Sequence, residues 1–178
     1  RVLFRSLFNP TLQTILLTGE IQYQYEWDAS ASFTTGVANH QAVLFQQPLK
    51  NGEVLLTGGF DGAFYQTTTY LYTPDTGTGT WLTTAPMNTG RAFHAQIELP
   101  TNFMMVCGGL NPTPLQSVEL YDPSLDVWTF TSSMLIARSQ HAMIALQNGN
   151  VLVTGGYNTN ATNVCEIFDY LTNTWSKT

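Results

Sequence analysis

The chain has 178 residues, of which 43% are apolar and 10% are charged, and its net charge is −6. This apolar content is enough for a packed core. The scarcity of charge and the abundance of Thr, Asn, Gln, Gly and Tyr favour short strands and polar turns over solvated helices. The six Lys and Arg residues are scattered, which excludes a basic nucleic-acid-binding surface. No apolar run approaches the roughly 20 residues of a membrane-spanning helix, so we expect no membrane insertion.

The chain begins with Arg1 and shows no signal peptide, so we expect a piece of a longer or processed protein. The compartment therefore stays open, although low charge and abundant Thr and Asn are typical of an extracellular setting. Cys107 and Cys165 are 58 positions apart with no second Cys or His nearby, which predicts buried thiols rather than a disulfide framework or a zinc site. The triplet at 160–162 is a glycosylation acceptor pattern that matters only in a secreted chain.

The first elements of the chain form an incomplete unit. Val2–Phe8 and Gln13–Gly19 are predicted to be two strands, and Ile21–Trp27 a single strand that replaces two. Only 7 residues separate Glu20 from Trp27, where the later units have about a dozen more. We therefore expect a reduced repeat at residues 1–37, or a defective gene model there.

From residue 38 onwards, several independent markers recur with a period of 47 to 50 residues. They are the glycine pairs Gly58-Gly59, Gly108-Gly109 and Gly155-Gly156, the tryptophans Trp81, Trp128 and Trp175, the aromatics Tyr72, Tyr121 and Phe168, and the Arg-x-x-His segments Arg91–His94 and Arg138–His141. His40 stands 13 residues after Trp27, as His94 does after Trp81. Because the markers stay in phase, we divide the chain into units 1–37, 38–90, 91–137 and 138–178 of one domain.

The third unit shows how each repeat is built. Phe93–Leu99 alternates apolar and polar residues as a half-buried inner strand does, and Phe103–Gly109 forms a hairpin with it. The glycine pair ends this second strand, where the missing Cβ atoms permit positive φ or close backbone approach. Ser117–Tyr121 is the third strand, and Trp128 opens the outer strand. The large aromatics are predicted to pack between sheets as core residues.

These markers, together with Leu-Tyr-Asp-Pro at 120–123, resemble the kelch repeat over residues 38–178. The resemblance implies an all-β, kelch-type β-propeller whose blades each have four antiparallel strands around a central channel. The sequence supplies about four blades, the first of them incomplete. Because an open arc leaves two blade faces exposed, we expect part of a larger propeller, with a closed four-blade ring as the alternative.

The repeat also supplies the candidate binding residues. Arg91 and Arg138 are predicted either to read a ligand on the rim of the channel or to pair with neighbouring acids or carbonyls. The variable loops after the glycine pairs suit a binding surface. Their candidate residues are Phe64, Tyr65, Asn111, Tyr157 and Asn158. His40, His94 and His141 share one repeat position, which indicates structural or rim-lining roles rather than a metal site.

The resemblance implies a non-catalytic scaffold that binds a protein segment or a glycan through loops at the propeller mouth, without a cofactor. The residues show no nucleophile and base pair and no metal-ligand spacing, so we expect no enzyme. Two alternatives stay open. One is the propeller domain of a galactose-oxidase-like copper-radical oxidase, whose centre of tyrosines, histidines and a cysteine is not recognisable here. The other is a purely structural segment of a larger surface protein.

Overall fold

The computed structural model describes residues 9–15, 21–26, 36–46, 50, 52–74 and 79–178. Within these residues the regular structure consists of strands. In chain order they are β1 (Asn9–Ile15), β2 (Ile21–Glu26), β3 (Gln41–Leu44), β4 (Val54–Thr57), β5 (Thr69–Thr73), β6 (Thr80–Thr84), β7 (Ala95–Glu98), β8 (Met104–Cys107), β9 (Leu110–Asn111), β10 (Thr113–Pro114), β11 (Val118–Asp122), β12 (Val127–Phe130), β13 (Ala142–Ala145), β14 (Val151–Thr154), β15 (Tyr157–Asn158), β16 (Asn160–Ala161), β17 (Glu166–Asp169) and β18 (Thr174–Lys177).

Twelve of these strands form three four-stranded antiparallel sheets, and in each sheet the strands follow one another in chain order. The first sheet contains β3 to β6, the second β7, β8, β11 and β12, and the third β13, β14, β17 and β18. The first strands of the sheets, β3, β7 and β13, lie next to one another, so they are the inner strands. The predicted all-β fold of four-stranded kelch-type blades is thereby confirmed.

The strand positions in the second sheet follow the prediction closely. The ladder of β7 with β8 joins Ala95 to Cys107 and Glu98 to Met104, inside the predicted ranges Phe93–Leu99 and Phe103–Gly109. The residues just outside the ladder are not extended, since Phe93 has a φ of 56° and Gly108 a φ of 56°. The strands are therefore shorter than the alternation of side chains indicates.

Two apolar clusters fill the spaces between the sheets. Successive side chains of β8 point to opposite faces, so Met104 and Val106 join the cluster against the first sheet, while Met105 and Cys107 join the cluster against the third. The remaining buried members of the first cluster are Phe45, Leu55, Leu71, Met87, Tyr121 and Trp128, and those of the second are Leu99, Val118, Met134, Val151, Val153 and Phe168. Each fully buried side chain of this kind contributes about 1.5–3 kcal/mol.

The repeated aromatics stack in pairs across the third and outer strands. Tyr121 lies opposite Trp128 with ring centroids 5.1 Å apart, and Phe168 pairs with Trp175 at the same 5.1 Å. Tyr72 and Trp81 form the equivalent pair in the first sheet at 4.9 Å. Trp128 is buried between two sheets, whereas Trp81 and Trp175 are half-buried.

The first unit is described only in part. β1 pairs antiparallel with β2, and Leu12 lies opposite Tyr23. The strand Asn9–Ile15 overlaps the predicted strand Gln13–Gly19 only in part, since it begins and ends four residues earlier. The predicted strand Val2–Phe8 and the marker Trp27 lie outside the described residues.

Candidate functional site

Each of the first two glycine pairs lies in the seam between one sheet and the next. A Cβ atom at Gly108 would overlap the carbonyl oxygen of Arg138 and would lie 2.9 Å from Cε1 of His141. The amide of Gly109 donates to the same Arg138 carbonyl at 2.9 Å, as Gly59 does to Arg91 at 2.8 Å. The pair therefore locks two neighbouring sheets together by a backbone approach that only glycine permits.

Behind each glycine pair, the chain turns back in a short hairpin rather than in an irregular loop. The hairpins are the turn at 60–65, closed by a bridge between Phe60 and Tyr65, the ribbon β9 with β10, and the ribbon β15 with β16. Each hairpin also pairs with the segment that leads into the inner strand of its own sheet, through the bridges Ala38 to Phe60, Ala92 to Leu110 and Ser139 to Tyr157. All three thus lie at the end of the sheets where the inner strands begin, which we call the hairpin face.

Arg91 does not reach the rim. Its side chain has no exposed surface and its Nη2 lies 2.6 Å from Oε1 of Glu119, which is also fully buried. Nη1 donates to the carbonyl oxygens of Gly108 at 2.7 Å and Ser117 at 3.1 Å. The second carboxylate oxygen of Glu119 accepts from the amide of Asn88 at 2.7 Å. The guanidinium thus ties together the segment before the inner strand, the glycine pair and the third strand.

Arg138 repeats this arrangement one unit later. Nη2 bonds Oε1 of the fully buried Glu166 at 2.5 Å, and Nη1 donates to the carbonyls of Gly155 and Val164, each at 2.8 Å. Glu166 also accepts from the amide of Leu135 at 2.6 Å. The interpretation of Arg91 and Arg138 as ligand-reading residues is wrong, because buried guanidinium groups that are held by a carboxylate and two carbonyls cannot meet a ligand. Pairing with a neighbouring acid, the other predicted alternative, is what both arginines do.

Glu119 and Glu166 are the partners that the sequence analysis did not single out. Each lies at or next to the start of the third strand of its sheet, in an otherwise apolar run, and the two stand one repeat period of 47 residues apart. At the equivalent positions of the first sheet, Val37 replaces the arginine and Tyr70 replaces the glutamate, and both are buried. Each unit thus has both the arginine and the glutamate or neither of them, and this pattern in the sequence indicates that the two residues pair.

His94 and His141 are buried in the same seams, whereas His40 is half-buried. His94 is 2% exposed, and its Nε2 lies 2.8 Å from Oγ1 of Thr57 in the preceding sheet, which also bonds Gln96 at 2.5 Å. His141 is buried too, but neither of its ring nitrogens has a hydrogen-bond partner. The repeat places Cys107 where the first seam has Thr57, so the second seam lacks that hydroxyl.

Burial lowers the pKa of all three histidines. The pKa of His94 is held well below its ordinary value by desolvation and then by the charge of Arg91. Desolvation and the charge of Arg138 lower the pKa of His141 to about 4. That of His40 is lowered by burial, against a backbone hydrogen bond that raises it. His94 and His141 are neutral structural groups of the seams at neutral pH.

The exposed candidates lie on the hairpin face. Phe64 is 71% exposed at the tip of the first hairpin. The carboxylate of Asp61 accepts the amides of Ala63 at 2.8 Å and Phe64 at 2.7 Å, and these bonds lower its pKa. Gln66 donates to the second oxygen of Asp61 at 2.7 Å. The turn therefore presents the Phe64 ring on a pre-organised backbone.

The other hairpin candidates differ in exposure. Tyr157 is 49% exposed in the third hairpin, and its neighbour Asn158 is half-buried. Tyr65 is half-buried and stacks on Phe60 with ring centroids 5.0 Å apart. Asn111 donates its side-chain amide to the carbonyl of Gly90 at 2.6 Å, which fixes the second hairpin to the preceding segment. Phe64 and Tyr157 are the aromatic side chains of this group that face solvent.

The comparisons with known proteins bear on the same residues. A family model described as the Kelch motif matches residues 104–135 and 137–178, which hold the second and third sheets. These two stretches are kelch repeats. The chain also matches a solved structure, a fungal alcohol oxidase of the AA5 family in complex with copper. The TM-score is 0.61 and the identity 18%, over 70% of this chain.

The chain spans 28% of the length of that oxidase, and at this identity the similarity shows the fold alone. A search of curated proteins finds no match to the sequence. The kelch repeats thus account for the architecture, and the similarity assigns no chemistry to this chain.

The part of the chain that the structure describes contains no group of three or more His, Cys, Asp and Glu residues placed to hold a metal ion. Among the same residues there is no helix long and apolar enough to cross a membrane. Both cysteines are free, Cys107 buried and Cys165 half-buried, and burial raises the pKa of the Cys107 thiol.

Proposed function

We propose that this chain is a non-catalytic kelch-repeat scaffold that binds a protein segment or a glycan through its hairpin face. The observation that carries the proposal is that the structural residues and the exposed residues of the repeat lie in different places. The buried Arg91 and Arg138 each hold together the strands of one sheet, whereas the short hairpins carry exposed aromatic side chains on a fixed backbone. A rigid scaffold that displays variable exposed segments is the usual design of a binding surface.

The aromatic side chains give the face its expected contact groups. Large rings supply much contact area with few rotatable bonds, and a backbone fixed before binding reduces the entropy lost on binding. Phe64 meets both conditions, because Asp61 fixes its turn and the ring is 71% exposed. Tyr157 adds a ring with a hydroxyl group on the third hairpin.

A binding screen tests the proposal. The chain is probed against a glycan array and an immobilised peptide library, together with the variants Phe64→Ala and Tyr157→Ala. Leu125→Ala is the matched control, because Leu125 is also 71% exposed but lies in the turn between β11 and β12, at the opposite end of the sheets. We expect at least one class of ligand to bind, with about tenfold weaker binding in a hairpin variant and none of this loss in the control. Absence of any ligand would favour a purely structural segment.

The second candidate is part of a copper-dependent alcohol oxidase, which the similarity to the AA5 structure favours. In that case the purified full-length protein would bind copper and oxidise a primary alcohol. Metal analysis together with an assay of hydrogen peroxide formation separates the two candidates. Stoichiometric copper with alcohol oxidation would replace the scaffold proposal.

A further inference from the structure

Three residues hold the same unusual backbone conformation on successive sheets. Asn39 has a φ of 58°, and Phe93 and Gln140 each have a φ of 56°. Each directly precedes a repeat histidine, at the end of the sheets that carries the hairpin face. We call them the mouth residues. A left-handed backbone costs a residue with a side chain about 1–2 kcal/mol, and only glycine and, less readily, asparagine adopt it routinely.

Backbone hydrogen bonds between sheets explain the conformation. The amide of Phe93 donates to the carbonyl of Asn39 at 3.0 Å, and the amide of Gln140 donates to the carbonyl of Phe93 at 2.9 Å. These bonds join the mouth residues into a chain that crosses both seams. They use no side-chain atom, so glycine would form the same bonds with less strain. The backbone bonds between the sheets therefore do not explain why Phe93 and Gln140 stand at these positions instead of glycine.

The side chains of the mouth residues are available to a ligand. Asn39 and Gln140 are exposed, and their side-chain amides have no hydrogen-bond partner in the described part of the chain. Phe93, on the sheet between them, is half-buried. The sheets thus present two unused amides with an aromatic ring between them.

Among the described residues, no available cation lies on the inner strands beside the mouth residues. The exposed Lys177 lies on β18, three strands outward from β13 and therefore about 14 Å away. Arg91 and Arg138 are enclosed by their ion pairs, and Lys50 bonds Glu53 at 3.3 Å in the turn at the other end of the first sheet. The carboxylate of Asp61 is taken up by backbone amides and Gln66. An acidic ligand at the inner strands would find no guanidinium or ammonium group beside the mouth residues to pair with.

We infer that the mouth residues bind an uncharged saccharide, an inference that rests on the proposed binding role of this end of the sheets. A side-chain amide offers both a donor and an acceptor, which matches hydroxyl groups that also do both. The Phe93 ring supplies an apolar surface for the C–H face of a sugar ring. The ligand contacts of the Phe93 and Gln140 side chains then explain why these positions hold strained residues and not glycine.

The test uses Gln140→Gly, because this change relieves strain and removes a candidate contact. The probes are neutral oligosaccharides and their sialylated and sulfated counterparts on an array, followed by calorimetric titration of the neutral saccharide that binds. We expect the neutral forms to bind. In Gln140→Gly, we expect binding to weaken about tenfold while the thermal midpoint is unchanged or higher. Gln140→Asn, which keeps an amide and tolerates the left-handed backbone, should recover part of the affinity.

Asn102→Gly is the matched control. Asn102 also has a left-handed φ of 67°, but it lies in the turn between β7 and β8 at the opposite end. Its variant should bind the saccharide as the parent does. A lower thermal midpoint with unchanged binding in Gln140→Gly would show a structural role and overturn the inference. Binding of peptides without any saccharide would overturn it and leave the proposed function standing, whereas absence of both ligand classes would overturn the two together.

Discussion

Arg91 and Glu119 form an ion pair at 2.6 Å in which neither side chain has any exposed surface. Removal of one partner from such a pair leaves a buried charge without compensation, whereas joint replacement by neutral groups is often tolerated. In the first sheet two neutral residues, Val37 and Tyr70, occupy the positions equivalent to the ion pair. The repeat itself therefore supplies the substitutions that test the pair.

The variant Arg91→Val should destabilise the fold by about 3–5 kcal/mol, because Glu119 is left buried and unpaired. The double variant Arg91→Val with Glu119→Tyr should recover part of that loss, though not all, since the Asn88 amide loses its acceptor. Urea unfolding of both variants measures the free energies. Lys50→Ala, which breaks the half-exposed pair with Glu53, should change stability by less than about 1 kcal/mol. Equal losses in the single and double variants would contradict the compensation.

The variant Cys107→Thr should stabilise the second seam. In the first seam the hydroxyl group of Thr57 bonds His94. The new threonine would place the equivalent hydroxyl group beside His141, whose ring nitrogens have no hydrogen-bond partner. One hydrogen bond of this kind contributes about 1 kcal/mol. Cys107→Val has nearly the same shape without the hydroxyl and should give no such gain. Chemical unfolding of the three proteins decides, and a gain of equal size in the valine variant would assign the effect to packing.

Stability should fall as the pH decreases from neutral towards about 4. Unfolded histidines take up a proton near pH 6.5, whereas folded His141 does so only near pH 4, and the pKa of folded His94 is also lowered. Between these limits the unfolded chain binds more protons than the folded chain, so protonation favours unfolding. Denaturation midpoints at about pH 7 and about pH 5 measure the difference. A variant without the group, His141→Phe, should show a smaller decrease, and an unchanged slope would exclude His141 as its source.

The variant Gly108→Ala should prevent the second seam from closing, because its Cβ would overlap the Arg138 carbonyl and press on the His141 ring. Gly62→Ala is the control. Gly62 also has a positive φ, of 101°, but no atom lies within 4 Å of the added Cβ, so only backbone strain of about 1 kcal/mol remains. Thermal unfolding should show a much larger loss for Gly108→Ala than for Gly62→Ala. Similar losses would mean that strain, not contact, sets the requirement for glycine.

The strands could be predicted from the sequence because the markers repeat in phase. Ala95–Glu98 and Met104–Cys107 fall inside the ranges expected from the alternation before the glycine pair. The role of Arg91 could not be settled in the same way, since periodicity identifies equivalent positions but not the direction of a side chain. Its partner Glu119 lies 28 positions away and meets it only through the folded sheet.

The left-handed backbone conformation of the mouth residues could not be predicted from the repeat pattern either. Phe93 reads as the first residue of an extended strand, but the hydrogen bond from its amide to Asn39 in another sheet overrides that preference. Phe64 and Tyr157 were predicted as binding residues from loop position alone, and their exposure is consistent with that prediction. Whether they bind a ligand stays a prediction.

Two indole hydrogen bonds give the molecule built-in optical reporters. Trp128 donates from Nε1 to the carbonyl of Ala85 at 2.9 Å, and Trp175 donates to the carbonyl of Ser132 at 2.9 Å. Each bond crosses from one sheet to the linker before it, so the emission of each tryptophan depends on a different seam. With Trp27 and Trp81 replaced by phenylalanine, and Trp128 or Trp175 replaced in turn, the fluorescence of the one remaining tryptophan would follow the separation of one pair of sheets. The order in which the sheets separate then becomes a spectroscopic measurement.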